Sequence, residues 1–408
     1  MEIIPILNAM MRNKVGAILI GLQIAITLAI VTNAMFIIEE RSVSMSRPTG
    51  IDEDNTFYLS ISGVGDDYNG EDELNADLVM LRSMSGIINV STVNSLPLTN
   101  SGSSNSYSIE ASDNPDVSIR STTYRYDEHF INAMGLNLVE GENFKASDVN
   151  YLRSDEVTTY NKVIVTKAFA EAAYGKDQGP YVGRTIYPGD QRALTIIGVV
   201  ERLQVPWASG AWTKGWAENA LIVPLKLKSN FQRFIVRAEA GKLNQMIPLV
   251  VEALRARNPN RIIRDPQPYS EIRYNSYRGD IAMSRILTTT VIILFIITSL
   301  GIVGLASFTV NRRKKQIGTR RALGARKIDI IRYFMTENFL ITIMGLSLGA
   351  LLTYLLNYWL VETYSMTKIS WYYVPLGMIV LSVLGQLAVF MPARKAASIS
   401  PAMATRSV

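Results

Sequence analysis

Residues 286–310 read ILTTTVIILFIITSLGIVGLASFTV, and residues 311–337, directly after them, read NRRKKQIGTRRALGARKIDIIRYFMTE. The first block has no ionisable side chain. It is long enough to cross about 30 Å of hydrocarbon, which takes about 20 helical residues. The second block carries nine Lys and Arg against two acids, Asp329 and Glu337, a net of +7. An apolar block running into a basic one reads as a membrane span that emerges in the cytoplasm, where short loops are enriched in Lys and Arg.

Working outward, Val15 to Ile38, Asn338 to Val361 and Ile369 to Ala393 are equally free of Asp, Glu, Lys, Arg and His. Together they predict four transmembrane helices over 15–38, 286–310, 338–361 and 369–393. The first could be a secretory signal, since Arg12 and Lys14 precede it. A signal core is shorter, about 7 to 15 residues, and a small-residue cleavage site should follow, so an anchor is the better reading. The N-terminus has two basic residues and one acid, and the tail 394–408 has three basic residues and no acid. Both termini are therefore expected in the cytoplasm. Ile3, Ile6, Leu7 and Met10 lie at helical spacing, which suits a short interfacial helix over 1–14 as well as it suits a frayed start.

That topology leaves residues 39–285 outside, with 26 basic and 31 acidic residues, a net of −5. The overall charge of +6 thus belongs to the cytoplasmic face. There it accounts for topology and for contact with anionic lipid, and it leaves nothing for a nucleic acid to explain. With no Cys and a single His, His129, the outer domain has no disulfide and no zinc site of the usual ligand types.

Within 39–285, strands and helices recur on both sides of a middle portion of different texture. The flanks 55–125 and 220–268 read as one α+β subdomain of porter-like type, about 126–219 as a second subdomain inserted into it, and 269–285 as a helical stalk leading into the second span. Thr99 to Ser106, rich in Ser, Asn and Gly, reads as a mobile loop. Trp207, Trp212 and Trp216 read as local packing, with a partner-binding tip or a membrane contact as alternatives.

No chemistry of bond-making stands out. A phosphate-binding loop needs Gly-Lys followed by Ser or Thr, whereas the Gly-Lys pairs here are Gly175-Lys176-Asp177 and Gly241-Lys242-Leu243. No catalytic or metal-binding residue is assigned. The spans hold no ionisable group of the sort a pump needs. Gly345 and Gly349 form a G-x-x-x-G pair suited to close helix packing. Four spans are few for a transporter acting alone, which points to an oligomer.

The basic segment is the most specific feature. Arg313-Lys314-Lys315-Gln316-Ile317-Gly318-Thr319-Arg320-Arg321-Ala322-Leu323-Gly324-Ala325 resembles the signature R-x-x-E-I-G-x-R-R-A-x-G-A of the MacB/FtsX family of ABC transporter permeases, with Gln316 in place of Glu. Phe130 to Gly135, Glu140 to Phe144, Val163 to Thr166, Val182 to Arg184 and Ile196 to Val200 are similar in order to the family's periplasmic domain. Pro392 to Ala397 and Ser400 to Ala402 resemble its terminal pattern. The resemblance implies an inner-membrane permease that pairs with a second copy or a paralogue on a dimer of separate ABC ATPase subunits. Those subunits would bind ATP and Mg, with no cofactor on this chain. It implies mechanotransmission rather than passage of substrate between the spans. Ile317, Gly318, Arg321, Ala322, Gly324 and Ala325 would contact the ATPase. A periplasmic adaptor and an outer-membrane channel would complete a tripartite efflux system. Lipoprotein extraction of LolC and LolE type, and FtsX-like control of a cell-wall hydrolase, are the alternatives.

Overall fold

The fold is described from a computed structural model, over residues 14–65, 67–112, 115–152, 160–208, 211–364 and 366–400. The interfacial helix expected over 1–14 falls, but for Lys14, outside these residues, as does the tail beyond Ser400. In chain order the elements are α1 (Lys14–Ser46), β1 (Thr56–Gly63), α2 (Gly70–Ser83), β2 (Ile87–Thr92), β3 (Ser104–Ser108), β4 (Ile119–Tyr126), α3 (Phe130–Met134), β5 (Leu138–Gly141), β6 (Asn150–Leu152), β7 (Lys162–Thr166) and α4 (Lys167–Tyr174). They continue with β8 (Thr185–Pro188), β9 (Leu194–Val200), β10 (Ala220–Leu227), β11 (Phe231–Ala238), α5 (Leu243–Arg257), β12 (Arg261–Pro268), α6 (Tyr269–Arg312), α7 (Lys314–Ala322), α8 (Lys327–Tyr364) and α9 (Tyr373–Ala397). The chain divides into two units, a helical one of 1–43 with 280–408 and a sheet-containing one of 44–279.

In the sheet-containing unit, β12-β1-β11-β2 form a four-stranded sheet, antiparallel throughout. With α2 between β1 and β2 and α5 between β11 and β12, the order is that of a ferredoxin-like split βαβ fold. Asn69 caps α2 by accepting from the backbone N–H groups of Glu71 and Asp72, and the acids of the first turn suit the positive end of the helix. Leu74, Leu78 and Leu81, spaced by helical turns, then bury against Phe57, Leu59, Phe234 and Val236 of the sheet, with Met246, Val250 and Leu254 of α5 beside them. Beside that face of α2, Asp77, itself buried, meets Arg257 Nε at 2.6 Å and Arg261 Nη1 at 2.7 Å, and Glu73 bonds both arginines.

The second sheet runs β4-β3-β8-β9-β7-β10-β6, with β5 on β9, and closes on itself where β10 pairs in parallel with β4, from Ala220 opposite Thr122 to Pro224 opposite Tyr126. Closure leaves free edges only on the short strands β5 and β6 among the described residues. It also encloses a core of Val163, Val165, Ile186, Leu194, Ile196, Leu221 and Val223, plugged by Phe169 of α4. This moves the expected boundaries. β3, β4 and β10, placed with the flanks 55–125 and 220–268, belong to the inserted barrel instead, because their partners are β7 and β8 and one another. Part of the supposed mobile loop is strand β3. Trp207, Trp212 and Trp216 pack edge to face with centroids 4.7 to 5.9 Å apart, and the Arg120 guanidinium lies over the rings of Trp212 and Trp216, which is local packing.

In the helical unit, four helices are long and apolar enough to cross a membrane: α1, α6, α8 and α9. α9 begins at Tyr373 rather than Ile369, whose backbone N–H is taken by Asn357 Oδ1 at 3.1 Å. The expected stalk and second span form the single helix α6. α1 is the most buried of the four and α6 the least, 44% against 11% of the apolar window. α1 is thus the helix around which the others pack. Gln23 Nε2 donates to Ile297 O at 3.0 Å, and the hydroxyls of Thr27 and Thr298 meet at 2.9 Å.

Candidate functional site

α6 ends at Arg312, and the chain turns at Arg313 into the short helix α7. Ile317 and Gly318 form its buried face, and Ile317 packs with Val310, Ile330, Phe334, Ala393, Ala396 and Ala397. A second attachment is ionic. Arg313 Nη1 donates to Glu337 Oε2 at 2.9 Å and to Tyr333 Oη at 3.0 Å, and the Arg320 guanidinium lies 5.0 Å over the Tyr333 ring. Gln316, which stands where the family signature has Glu, is exposed, and Glu337 supplies the carboxylate from α8.

The helix is stopped by a glycine. Gly324 has φ +98 and no atom near a would-be Cβ, so its backbone conformation, not crowding, requires glycine there. Its N–H donates to Arg321 O at 3.2 Å and that of Ala325 to Arg320 O at 3.0 Å, the paired bonds of a Schellman cap. Arg321 Nη1 reaches across the same turn to Ala325 O at 3.1 Å.

These contacts divide the six residues singled out in the sequence. Ile317 and Gly318 are buried in the chain's own core, so they seat α7 and present no surface; their expected role as direct contacts is corrected on that ground. Arg321 and Ala325 are half-buried and shape the turn. Ala322 and Gly324 are exposed. Between them stands Leu323, 83% exposed and outside the six residues that the resemblance singles out. The available signal was a lone leucine among basic residues. Lys314, Lys315, Arg320, Arg326 and Lys327 of the same segment are exposed as well. The result is an apolar knob with a cationic rim on a mount fixed by packing and an ion pair. Among the described residues no cluster of His, Cys, Asp or Glu could hold a metal ion.

The helix-packing pair lies on α8. A Cβ at Gly345 would come 2.7 Å from Gly21 O, and one at Gly349 would come 2.9 Å from Ala25 Cα. α1 and α8 therefore touch backbone to backbone. Nearby, Asn33 Nδ2 donates to Ala29 O at 2.9 Å and to Thr353 O at 3.2 Å, and Asn357 Nδ2 donates to Asn33 Oδ1 at 3.2 Å.

Residues 16–249 match the profile described as MacB-like periplasmic core domain, and residues 288–401 match that of the FtsX-like permease C-terminal region. The chain belongs to the MacB/FtsX-like family of ABC transporter permeases. It is similar to the macrolide export ATP-binding/permease protein MacB of Chromobacterium violaceum, 24% identical over 292 residues, 70% of this chain and 43% of that one. It is 23% identical over 332 residues to the MacB of Neisseria meningitidis, 75% of this chain and 45% of that one. The chain thus spans less than half the length of these curated relatives. Among solved structures, the periplasmic region of MacB from Actinobacillus actinomycetemcomitans aligns with a TM-score of 0.32 at 16% identity, over 55% of this chain and 94% of that one. The extracellular domain of the ABC-type transporter YknZ aligns with a TM-score of 0.32 at 14% identity, over 52% of this chain and all of that one.

Proposed function

We propose that this permease couples ATP hydrolysis to movement of its sheet-containing unit by mechanotransmission, with residues 311–337 and both termini in the cytoplasm. The observation that carries the reading is Leu323, an 83% exposed apolar tip ringed by basic side chains on a helix that Ile317, Gly318 and the Arg313–Glu337 pair hold in place. An apolar anchor with a cationic rim suits a hydrophobic socket bordered by acids, and a fixed mount passes a push on the knob to α6 and α8. The partner is an ABC ATPase dimer that binds ATP and Mg outside residues 1–408. The partner of the helical unit is a second permease copy or a paralogue, to which α6 offers its open apolar flank of Ile292, Ile293, Ile296 and Leu300. The absence of ionisable groups from residues 286–310 and the other three stretches supports spans that act as levers.

The relatives' name, macrolide export, favours tripartite efflux with a periplasmic adaptor and an outer-membrane channel as the setting. Purification of the permease with its ATPase, followed by ATPase and transport assays in vesicles, tests the coupling. Leu323→Asp should lower transport at least about tenfold, the loss of an interfacial hot spot, while the chain inserts at wild-type level. Wild-type coupling in Leu323→Asp would refute the reading. Recovery of a lipoprotein chaperone rather than an adaptor by detergent pull-down would move the assignment to lipoprotein extraction. Since the chain has no Cys, single introduced cysteines near residue 316 and residue 102 report the orientation by labelling from either side.

A further inference from the structure

The sheet-containing unit has a cleft of about 330 Å³ whose wall includes Asn94, Asn100, Arg233, Gln267, Asn275 and Ser276. That volume lies in the range of small-molecule sites, about 300 to 1,000 Å³. Its lining is unusual for a crevice left over from packing. The amides of Asn100, Gln267 and Asn275 each carry donors and an acceptor and that of Asn94 keeps its NH2 donors, the complement of a ligand rich in hydroxyls. Ser276 Oγ is buried and has no hydrogen-bond partner among the described residues.

The charge is one-sided. Arg233 faces this cleft and also a small neighbouring hollow, which Arg125 lines as well. Neither arginine forms an ion pair among the described residues. Arg233 Nη1 donates to Asn94 O, and the Arg125 backbone N–H donates to Asn94 Oδ1 at 2.7 Å. The Arg233 guanidinium also lies 4.8 Å over the Phe231 ring, but no carboxylate is among the residues lining either hollow, so an oxyanion there meets the planar fork of an arginine with no competing acid.

The wall is also pre-formed. Tyr126 Oη donates to Ser95 O at 2.9 Å, Tyr269 Oη to Pro97 O at 2.6 Å, and Asn100 N to Pro206 O at 2.9 Å. Within that pinned loop Leu98 and Asn100 hold φ of 65 and 53, the left-handed region that residues other than glycine seldom occupy. A loop held there by several bonds keeps its side chains aimed without a ligand.

We propose that this cleft binds an anionic, hydroxyl-rich ligand, a sugar phosphate or glycerol phosphate, free or as a lipid headgroup. The phosphate sits on Arg233 with Arg125 beyond it, and the hydroxyls lie on the Asn and Gln amides. The inference stands apart from the coupling reading, since no residue of 311–337 enters it.

Calorimetric titration of the full chain in neutral detergent with glucose 6-phosphate, glycerol 3-phosphate and glucose tests it. Wild type should bind either phosphate at least about tenfold more tightly than glucose, the scale of one charge-assisted contact. Arg233→Ala should lose that margin. Asn275→Leu, at an exposed position, should weaken glucose 6-phosphate while keeping the fold, so the test stands even if Arg233→Ala fails to fold. Repeating the titration in nanodiscs of phosphatidylglycerol, phosphatidylserine or phosphatidylcholine separates the sources. Loss of glucose 6-phosphate binding in phosphatidylglycerol discs alone identifies a headgroup, and equal binding in all three identifies a free ligand. Phosphates bound no better than glucose, or wild-type affinity in both variants, would overturn the proposal.

Discussion

Asp77 in the sheet-containing unit and Asn33 in the helical unit are both buried polar side chains, and each is satisfied by the means its surroundings permit. The Asp77 carboxyl is held by two arginines, Arg257 and Arg261, that also share Glu73. Asn33 is neutral and held by carbonyl oxygens and the amide of Asn357. The same division runs through both units. Among the described residues, buried polar contacts within the helical bundle are amides and hydroxyls, such as Thr27 with Thr298 and Asn338 with Gly385 O, and its ion pairs, Arg313 with Glu337 and Arg41 with Asp280, lie where the chain leaves the apolar stretches. An ion beside lipid has no water to return to, so the bundle gains close backbone approach through Gly345 and Gly349 in its place.

The contrast can be broken from either side. The largest effect is expected for Asp77→Ala, which leaves the fully buried Arg261 side chain with Glu73 as its only carboxylate partner among the described residues. Removing one member of a buried ionic network costs about 3–5 kcal/mol. Chemical denaturation followed by fluorescence of Trp207, Trp212 and Trp216 should report this loss, and the helical unit should keep its resistance to sodium dodecyl sulfate. Gly349→Leu should do the reverse. Overpacking against Ala25 costs about 1–3 kcal/mol, seen as earlier loss of helix in detergent titration with the unfolding midpoint of the sheet-containing unit unmoved.

A smaller effect, about 0.6 to 1.7 kcal/mol, is expected for Asn33→Leu, the range of single hydrogen bonds between membrane helices. A loss as large as that of Asp77→Ala would erase the distinction between the units. The smallest effect concerns His129. Burial, and then the Arg82 guanidinium, push its imidazole below the ordinary value of 6.5, against the pull of Asp127 and Glu128. The unfolded chain therefore takes up this proton more readily than the native one. Its stabilising contribution is complete above 6.5 and is lost as pH falls through the window beneath it. His129→Gln should flatten the dependence of the melting midpoint between about pH 7.5 and about pH 5. An unchanged slope would remove His129 from the balance.

Much of this architecture is legible in the chain itself where one local property decides. Charge-free runs give the spans, and Leu74, Leu78 and Leu81 give the inner face of α2 at the spacing the structure shows. The barrel was not legible. β4 reads as a strand from its own residues, but nothing in them states that Thr122 will lie opposite Ala220. Sorting strands by sequence order therefore put β3, β4 and β10 in the wrong sheet. The coupling segment shows the same limit at smaller scale. Its pattern identified the region, yet Ile317 and Leu323, both apolar and close in sequence, have opposite fates, because burial depends on Phe334 and Ala396, which arrive from α8 and α9.

The residues alone determine that four stretches are long and apolar enough to cross a membrane and that positive charge is concentrated in 311–337, because hydropathy and net charge are properties of a segment. Tertiary structure alone decides which glycines meet α1, which carboxylate holds Arg313, which apolar side chain of α7 faces outward, and that Arg125 and Arg233 share a hollow. Those outcomes depend on distances between residues far apart in the chain, and such distances exist only once the chain has folded.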